Sequence, residues 1–113
     1  MIKLREILSM PVFRNFRVVA GEGGIDREVG TVSVMDAPDI YKWMKGGEFL
    51  ITTGYAVKDR PEYIRSLIIN LDKGGAAALG VKFDRFIHDF PADALEAADE
   101  LDFPIVSIPY EFA

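Results

Sequence analysis

Four short clusters carry the side chains able to recognise a small polar molecule: Asp36, the run Thr52-Thr53-Gly54, Lys82, and Pro109-Tyr110. Together they would supply a carboxylate, two hydroxyls, an ammonium group and a phenol, with Gly54 free to turn the backbone or bring it close to a ligand. Such a set suits a polar heterocycle or an anion held by hydrogen bonds. It is not a catalytic signature. Asp36 with Lys82 is a conceivable acid–base pair and Thr52 or Thr53 a conceivable nucleophile, yet no spacing in the sequence requires either role. Taken singly, each residue also has an ordinary structural role: Asp36 as a helix N-cap, Lys82 as a solvated lysine, Tyr110 as a rim aromatic.

These clusters converge only if the elements before them are parallel strands. Phe49, Leu50 and Ile51 form an unbroken apolar run, the pattern of a strand covered on both faces. Thr31 to Met35 places Val32 and Val34 on one face of a strand, Ala76 to Val81 reads as a strand of small residues, and Ile105 to Ile108 as a last strand. Between them, Asp36-Ala37-Pro38-Asp39 has helix-start chemistry, with Ile40, Trp43 and Met44 as an apolar face before Gly46-Gly47. Asp59-Arg60-Pro61-Glu62 opens a second helix in which Ile64, Leu67, Ile68 and Leu71 keep the i, i+3, i+4, i+7 spacing until Gly74-Gly75. Asp89 or Phe90 before Pro91 opens a third, carrying Leu95, Ala98 and Leu101. Strand, helix, strand, helix, strand, helix, strand predicts an α/β fold, a mostly parallel sheet with right-handed βαβ crossovers. Upstream, Leu4, Ile7 and Leu8 predict a short helix closed by Pro11, and Val18 to Ala20 a strand leading through Gly21-Glu22-Gly23-Gly24 into a hairpin-like start. In open sheets of this kind ligands bind beyond the carboxyl ends of the strands, where all four clusters would lie.

Composition narrows the function classes. A chain of 113 residues, half of them apolar, suits one domain and buries roughly 65% of the surface of its unfolded form. A net charge of −5 argues against holding a nucleic-acid backbone, which needs clustered Lys and Arg. With no cysteine, disulfides, thiolate nucleophiles and cysteine-ligated metals are excluded, and the single histidine, His88, is an expected surface or half-buried imidazole, so no metal or cofactor is expected. Charges interrupt the amino terminus, which is therefore no secretory signal, and no apolar run approaches the ~20 residues that span a bilayer. A cytoplasmic protein is expected. The Gly21–Gly24 run lacks the Gly-Lys-Ser/Thr ending of a phosphate loop and reads as a turn. Tyr41 and Trp43 fit either core packing or a dimer or interdomain surface. Phe83, Phe86, Phe90 and Phe103 read as core, since no basic groove accompanies them as in a base-stacking platform.

Leu4-Arg5-Glu6-Ile7-Leu8, Val19 to Arg27, the block ending in Thr52-Thr53-Gly54, Gly75 to Lys82, Ala97 to Leu101 and Phe103-Pro104-Ile105 together resemble the amino-terminal domain of purine catabolism regulators of the PucR type. The similarity covers nearly the whole chain, and its specificity lies in the order of the blocks. It implies a bacterial transcriptional regulator, with residues 1–113 as a single regulatory domain cut from a longer protein. DNA would be bound only through a carboxyl-terminal helix-turn-helix domain that this sequence lacks. The apolar ending at Ile108-Pro109-Tyr110-Glu111-Phe112-Ala113 agrees with that expectation. The leading function is effector sensing or signal relay, with a purine-pathway metabolite as the expected ligand. A dimerisation or interdomain scaffold without a ligand is the alternative, and a small enzyme a more remote one. The resemblance transfers no catalytic residue and no ligand, so the strand-end set rests on geometry alone.

Overall fold

Phe49, Leu50 and Ile51 lie on an inner strand of a five-stranded sheet covered on both sides, as their lack of alternation requires. The computed structural model describes residues 2–34, 44–53, 60–82 and 90–109. In chain order the elements are β1 (Ile2–Lys3), α1 (Leu4–Leu8), β2 (Arg17–Ala20), β3 (Glu28–Val29), β4 (Thr31–Val34), β5 (Glu48–Thr52), α2 (Ile64–Lys73), β6 (Ala78–Lys82), α3 (Ala92–Leu101) and β7 (Ile105–Ile108). The sheet runs β2-β7-β6-β5-β4, with β4 to β7 parallel and β2 antiparallel on the β7 edge. This is the α/β architecture expected from the alternating pattern.

Because β5, β6 and β7 are neighbours in sequence order, the crossovers through α2 and α3 step in the same direction and stack both helices on the same face. Registers Leu50↔Leu79 and Leu79↔Ile105 align the helix-facing row. Leu50, Leu79, Val81 and Ile105 meet Ile64, Leu67, Ile68 and Leu71 of α2 and Ala94 and Ala98 of α3. The α2 residues are those of the predicted apolar stripe. Alanines at the buried positions of α3 let two ten-residue helices lie side by side over four short strands. Phe90, outside α3, packs half-buried against this cluster.

The amino-terminal segment covers the opposite face. Leu4 and Ile7 of α1, with Phe16 and Val29, pack on Phe49, Ala78, Val106 and Ile108. β1 and β3 form a separate antiparallel pair, so the expected short helix and hairpin element is present. Its pairing is non-local. Val18–Ala20 joins β7, and Thr31–Val34 joins β5, so the Gly21–Gly24 turn links two sheets rather than closing a hairpin between those two strands. On this face Gly80 leaves the space that Ile108 and Phe49 occupy: a Cβ there would stand 2.7 Å from Ile108 Cδ1 and 3.1 Å from Phe49 Cε1.

One side chain ties the amino-terminal segment to both helices. Arg27 Nε donates to the Asp102 carbonyl at 3.0 Å, Nη1 to the Ala76 carbonyl at 3.0 Å, and Nη2 to the Leu101 carbonyl at 3.0 Å and to Asp72 Oδ1 at 2.6 Å. Its guanidinium lies 5.2 Å from the Phe103 ring centre. A rigid, permanently charged fork thus satisfies carbonyls at the ends of both helices, where the macrodipole is negative. The nearby Arg5–Asp26 pair, at 2.8 Å, is exposed and contributes little. The Arg5 hydrogen bond holds the Asp26 carboxyl below its ordinary pKa, so what it adds is present above that ordinary value and lost as pH falls through the lowered one.

Removing the Arg27 fork strands several partly buried acceptors. Arg27→Ala is expected to lower unfolding free energy by about 2–4 kcal/mol, and Arg27→Lys to recover less than half of the loss, because a point charge cannot serve four acceptors in a plane. Urea unfolding of the three proteins measures both.

Candidate functional site

The carboxyl ends of β5 and β6 lie side by side near the centre of the sheet and carry the described members of the strand-end set. Thr52 ends β5 opposite Val81 and is 4% exposed. Thr53 follows it, half-buried at the strand exit. Lys82 ends β6 opposite Ile108 and is also half-buried. All three residues already interact within the protein, so a ligand here would not meet idle residues. Asp36, Gly54 and Tyr110, the other members of the set, lie outside the described residues, as do Tyr41, Trp43, His88, Phe83 and Phe86.

Pleating divides this rim between two faces. Thr52 shares the helix-facing side with Leu50, and its row continues through Val81 and Ser107 to Arg17. Lys82 shares the other side with Ala78 and Gly80. A molecule lying across the end of the sheet would therefore span both faces to reach Thr52 and Lys82 together. The row containing Ser107 and Arg17 was not legible in the sequence, because it depends on β2 adding to the β7 edge.

The β5 and β6 exits lead towards the start of each following helix. The short 3-10 turn Pro61–Tyr63 precedes α2, and Pro91 precedes α3; neither N-cap residue makes a side-chain cap hydrogen bond, and the positive ends of two helix dipoles face this end. Arg60 and Tyr63 stand at the first of these starts. Arg60 Nη1 lies 3.2 Å from the Tyr63 hydroxyl, and the guanidinium 5.3 Å from the ring centre, with Tyr63 48% exposed. An arginine three residues before a tyrosine was the signal for this pair. The described residues of the rim thus carry hydroxyls, an ammonium and a guanidinium, groups of a kind suited to a carbonyl-rich or anionic small molecule. Among the described residues no group of histidine, aspartate and glutamate could hold a metal ion, and no helix is long and apolar enough to cross a membrane.

The opposite end of the sheet is closed by backbone. Glu48, 9% exposed, accepts hydrogen bonds from the Lys45 N–H at 2.9 Å and the Gly46 N–H at 3.0 Å, filling with its own carboxylate the nest that this turn creates. Gly47, at φ +81°, donates to the Gly75 carbonyl and accepts from the Gly30 N–H. Gly21, at φ +69°, donates to Asp99 Oδ1 at 2.7 Å and lies directly on the Phe103 carbonyl, where a Cβ would collide. Gly21-Glu22-Gly23-Gly24 is therefore a packing turn against the α3–β7 junction, and its first amide is already taken.

The Purine catabolism regulatory protein-like family matches residues 6–113. The chain belongs to this family. It is 39% identical over 108 residues to the purine catabolism regulatory protein of Bacillus subtilis (strain 168), an alignment covering 96% of this chain and 20% of that protein. Over 90 residues it is 27% identical to the transcriptional activator PmfR of Paenarthrobacter nicotinovorans, covering 80% of this chain and 19% of that one. The chain thus spans about a fifth of the length of these relatives. The family is described as one of regulatory proteins.

The packing role of Gly21 is open to a direct test. Gly21→Ala combines a left-handed backbone with a backbone collision and is expected to cost about 2 kcal/mol or more in chemical unfolding. Titration with inorganic phosphate should produce no stabilisation of the parent that the variant lacks.

Proposed function

We propose that this chain is the regulatory module of a transcriptional regulator of purine or related nitrogen catabolism, and that it binds a small effector at the carboxyl ends of β5 and β6. The observation that carries the reading is the family membership joined to the end of the sheet where Thr52, Thr53 and Lys82 stand. Thr52, Thr53 and Lys82 would contact the effector, with Asp36, Gly54 and Tyr110 contributed from adjoining strand ends. The effector class that fits both the chemistry and the family is a purine-pathway metabolite, whose ring carbonyls accept hydrogen bonds from hydroxyl, ammonium and amide groups. Binding would favour one of two arrangements of the longer regulator, whose DNA-binding part lies beyond this chain.

A panel of purines, oxidised purines and ureides, followed by thermal unfolding, tests the reading. A metabolite at ten times its Kd should add ~1.4 kcal/mol and raise Tm by about 5 °C. Thr53→Val, which removes a hydroxyl while nearly keeping shape, should reduce that shift by more than half without lowering the unliganded Tm by more than about 3 °C. Absence of a shift with every compound would remove the sensing role.

A further inference from the structure

The two edges of the sheet differ in a way that effector binding does not explain. At one edge, β2 is interrupted by an irregularity between Val18 and Ala20 and carries exposed Arg17, both devices that discourage a further strand from adding. At the other edge, β4 has neither. Its four residues, Thr31-Val32-Ser33-Val34, are uncharged and contain no proline, and they pair with β5 in unbroken register. Among the described residues nothing pairs with the outer side of β4. Val32 and Val34 are 52% and 67% exposed, on the face opposite the helices. Natural sheets seldom leave such an edge unguarded unless it is used.

We infer that β4 is a dimerisation strand, pairing antiparallel with β4 of a second copy to make one continuous ten-stranded sheet. The pleat selects the register. A two-fold axis normal to the sheet brings like faces together, and opposed residues must then point the same way. An axis through Ser33 places Val32 opposite the partner's Val34, and Val34 opposite the partner's Val32. Four valines that are exposed in the single chain become one cluster, and Ser33 faces the partner's Ser33. An axis through Val32 would oppose Val34 to the partner's Gly30, outside the strand, and leave half the apolar surface unmatched. A second copy fits better than a charged partner segment, because the edge offers backbone groups and aliphatic surface with no charge to answer. With the β2 edge blunted, assembly closes at two copies instead of growing into a fibre.

The test uses the absence of native cysteine. Directly opposed residues of an antiparallel pair have Cβ atoms about 4.5–5.5 Å apart, close to the ~3.5–4.5 Å that a disulfide needs. Ser33→Cys should therefore form a disulfide-linked dimer under mild oxidation at least tenfold faster than Val19→Cys, an exposed control on the blunted edge. Adding Val34→Lys to Ser33→Cys should slow the reaction at least tenfold by setting an ammonium group against the partner's Val32, while circular dichroism and Tm stay those of the parent. Sedimentation equilibrium of the unmodified chain should show a monomer–dimer equilibrium below ~1 mM, the weak range expected of so small an interface. Equal rates for Ser33→Cys and Val19→Cys, or crosslinking untouched by Val34→Lys, would overturn the inference. So would a strictly monomeric parent at that concentration, which would leave the edge to another part of the longer regulator. None of these readouts involves an effector, so the effector reading can fail while this one stands.

Discussion

The Arg27 guanidinium fixes how the two halves of the chain meet. The amino-terminal segment is held by β2 on the β7 edge, by the β1–β3 pair and by the packing of Leu4, Ile7, Phe16 and Val29 on the sheet. Arg27 connects that segment to the ends of α2 and α3 through four hydrogen bonds and to Phe103 through its ring face. Those helix ends carry unpaired carbonyls that need donors in any case. The same residue therefore satisfies the helices and seats Phe16 and Leu4 over the second face of the sheet. With the Gly21 amide on Asp99 and the Gly47 contacts to Gly30 and Gly75, the amino ends of the strands become a closed layer of backbone and one guanidinium.

The two ends of the parallel sheet differ in chemistry. At the amino ends the Gly21, Gly30 and Gly47 amides bond within the protein, and the Glu48 carboxylate fills its nest from within. The carboxyl ends carry Thr52, Thr53 and Lys82, and the chain returns to α2 and α3 through helix starts marked by Arg60 and Tyr63 in one case and Pro91 in the other. In the proposed reading a ligand would bind here and leave the clamp intact, giving a regulatory module a response on a rigid base. The β4 edge is a third region, aliphatic and uncharged, separate in chemistry from both.

Sequence pattern carried the fold where signals were local. The Phe49-Leu50-Ile51 run, the Ile64/Leu67/Ile68/Leu71 stripe and the alternation of strands with helices led to a parallel sheet covered on both faces. It could not carry the pairing of β2 with β7 or of β1 with β3, since those bonds join residues far apart in the chain and leave no periodicity behind. Arg27 was invisible for the same reason: one arginine after a turn says nothing of four acceptors contributed from residues 72–102. For the site, Thr52, Thr53 and Lys82 were read correctly as strand ends, but the opposite faces of Thr52 and Lys82 followed only from the register.

The central claim is that one end of the sheet is a fixed base and the other responds to a small molecule. Hydrogen exchange of the chain with and without a purine-pathway metabolite tests it most directly. The account predicts slow, ligand-independent exchange around residues 21–27, 46–48 and 101–103, with added protection confined to peptides covering 52–53, 60–64, 82 and 90–94. Protection gained at the Arg27 end, or rapid exchange there without ligand, would contradict it.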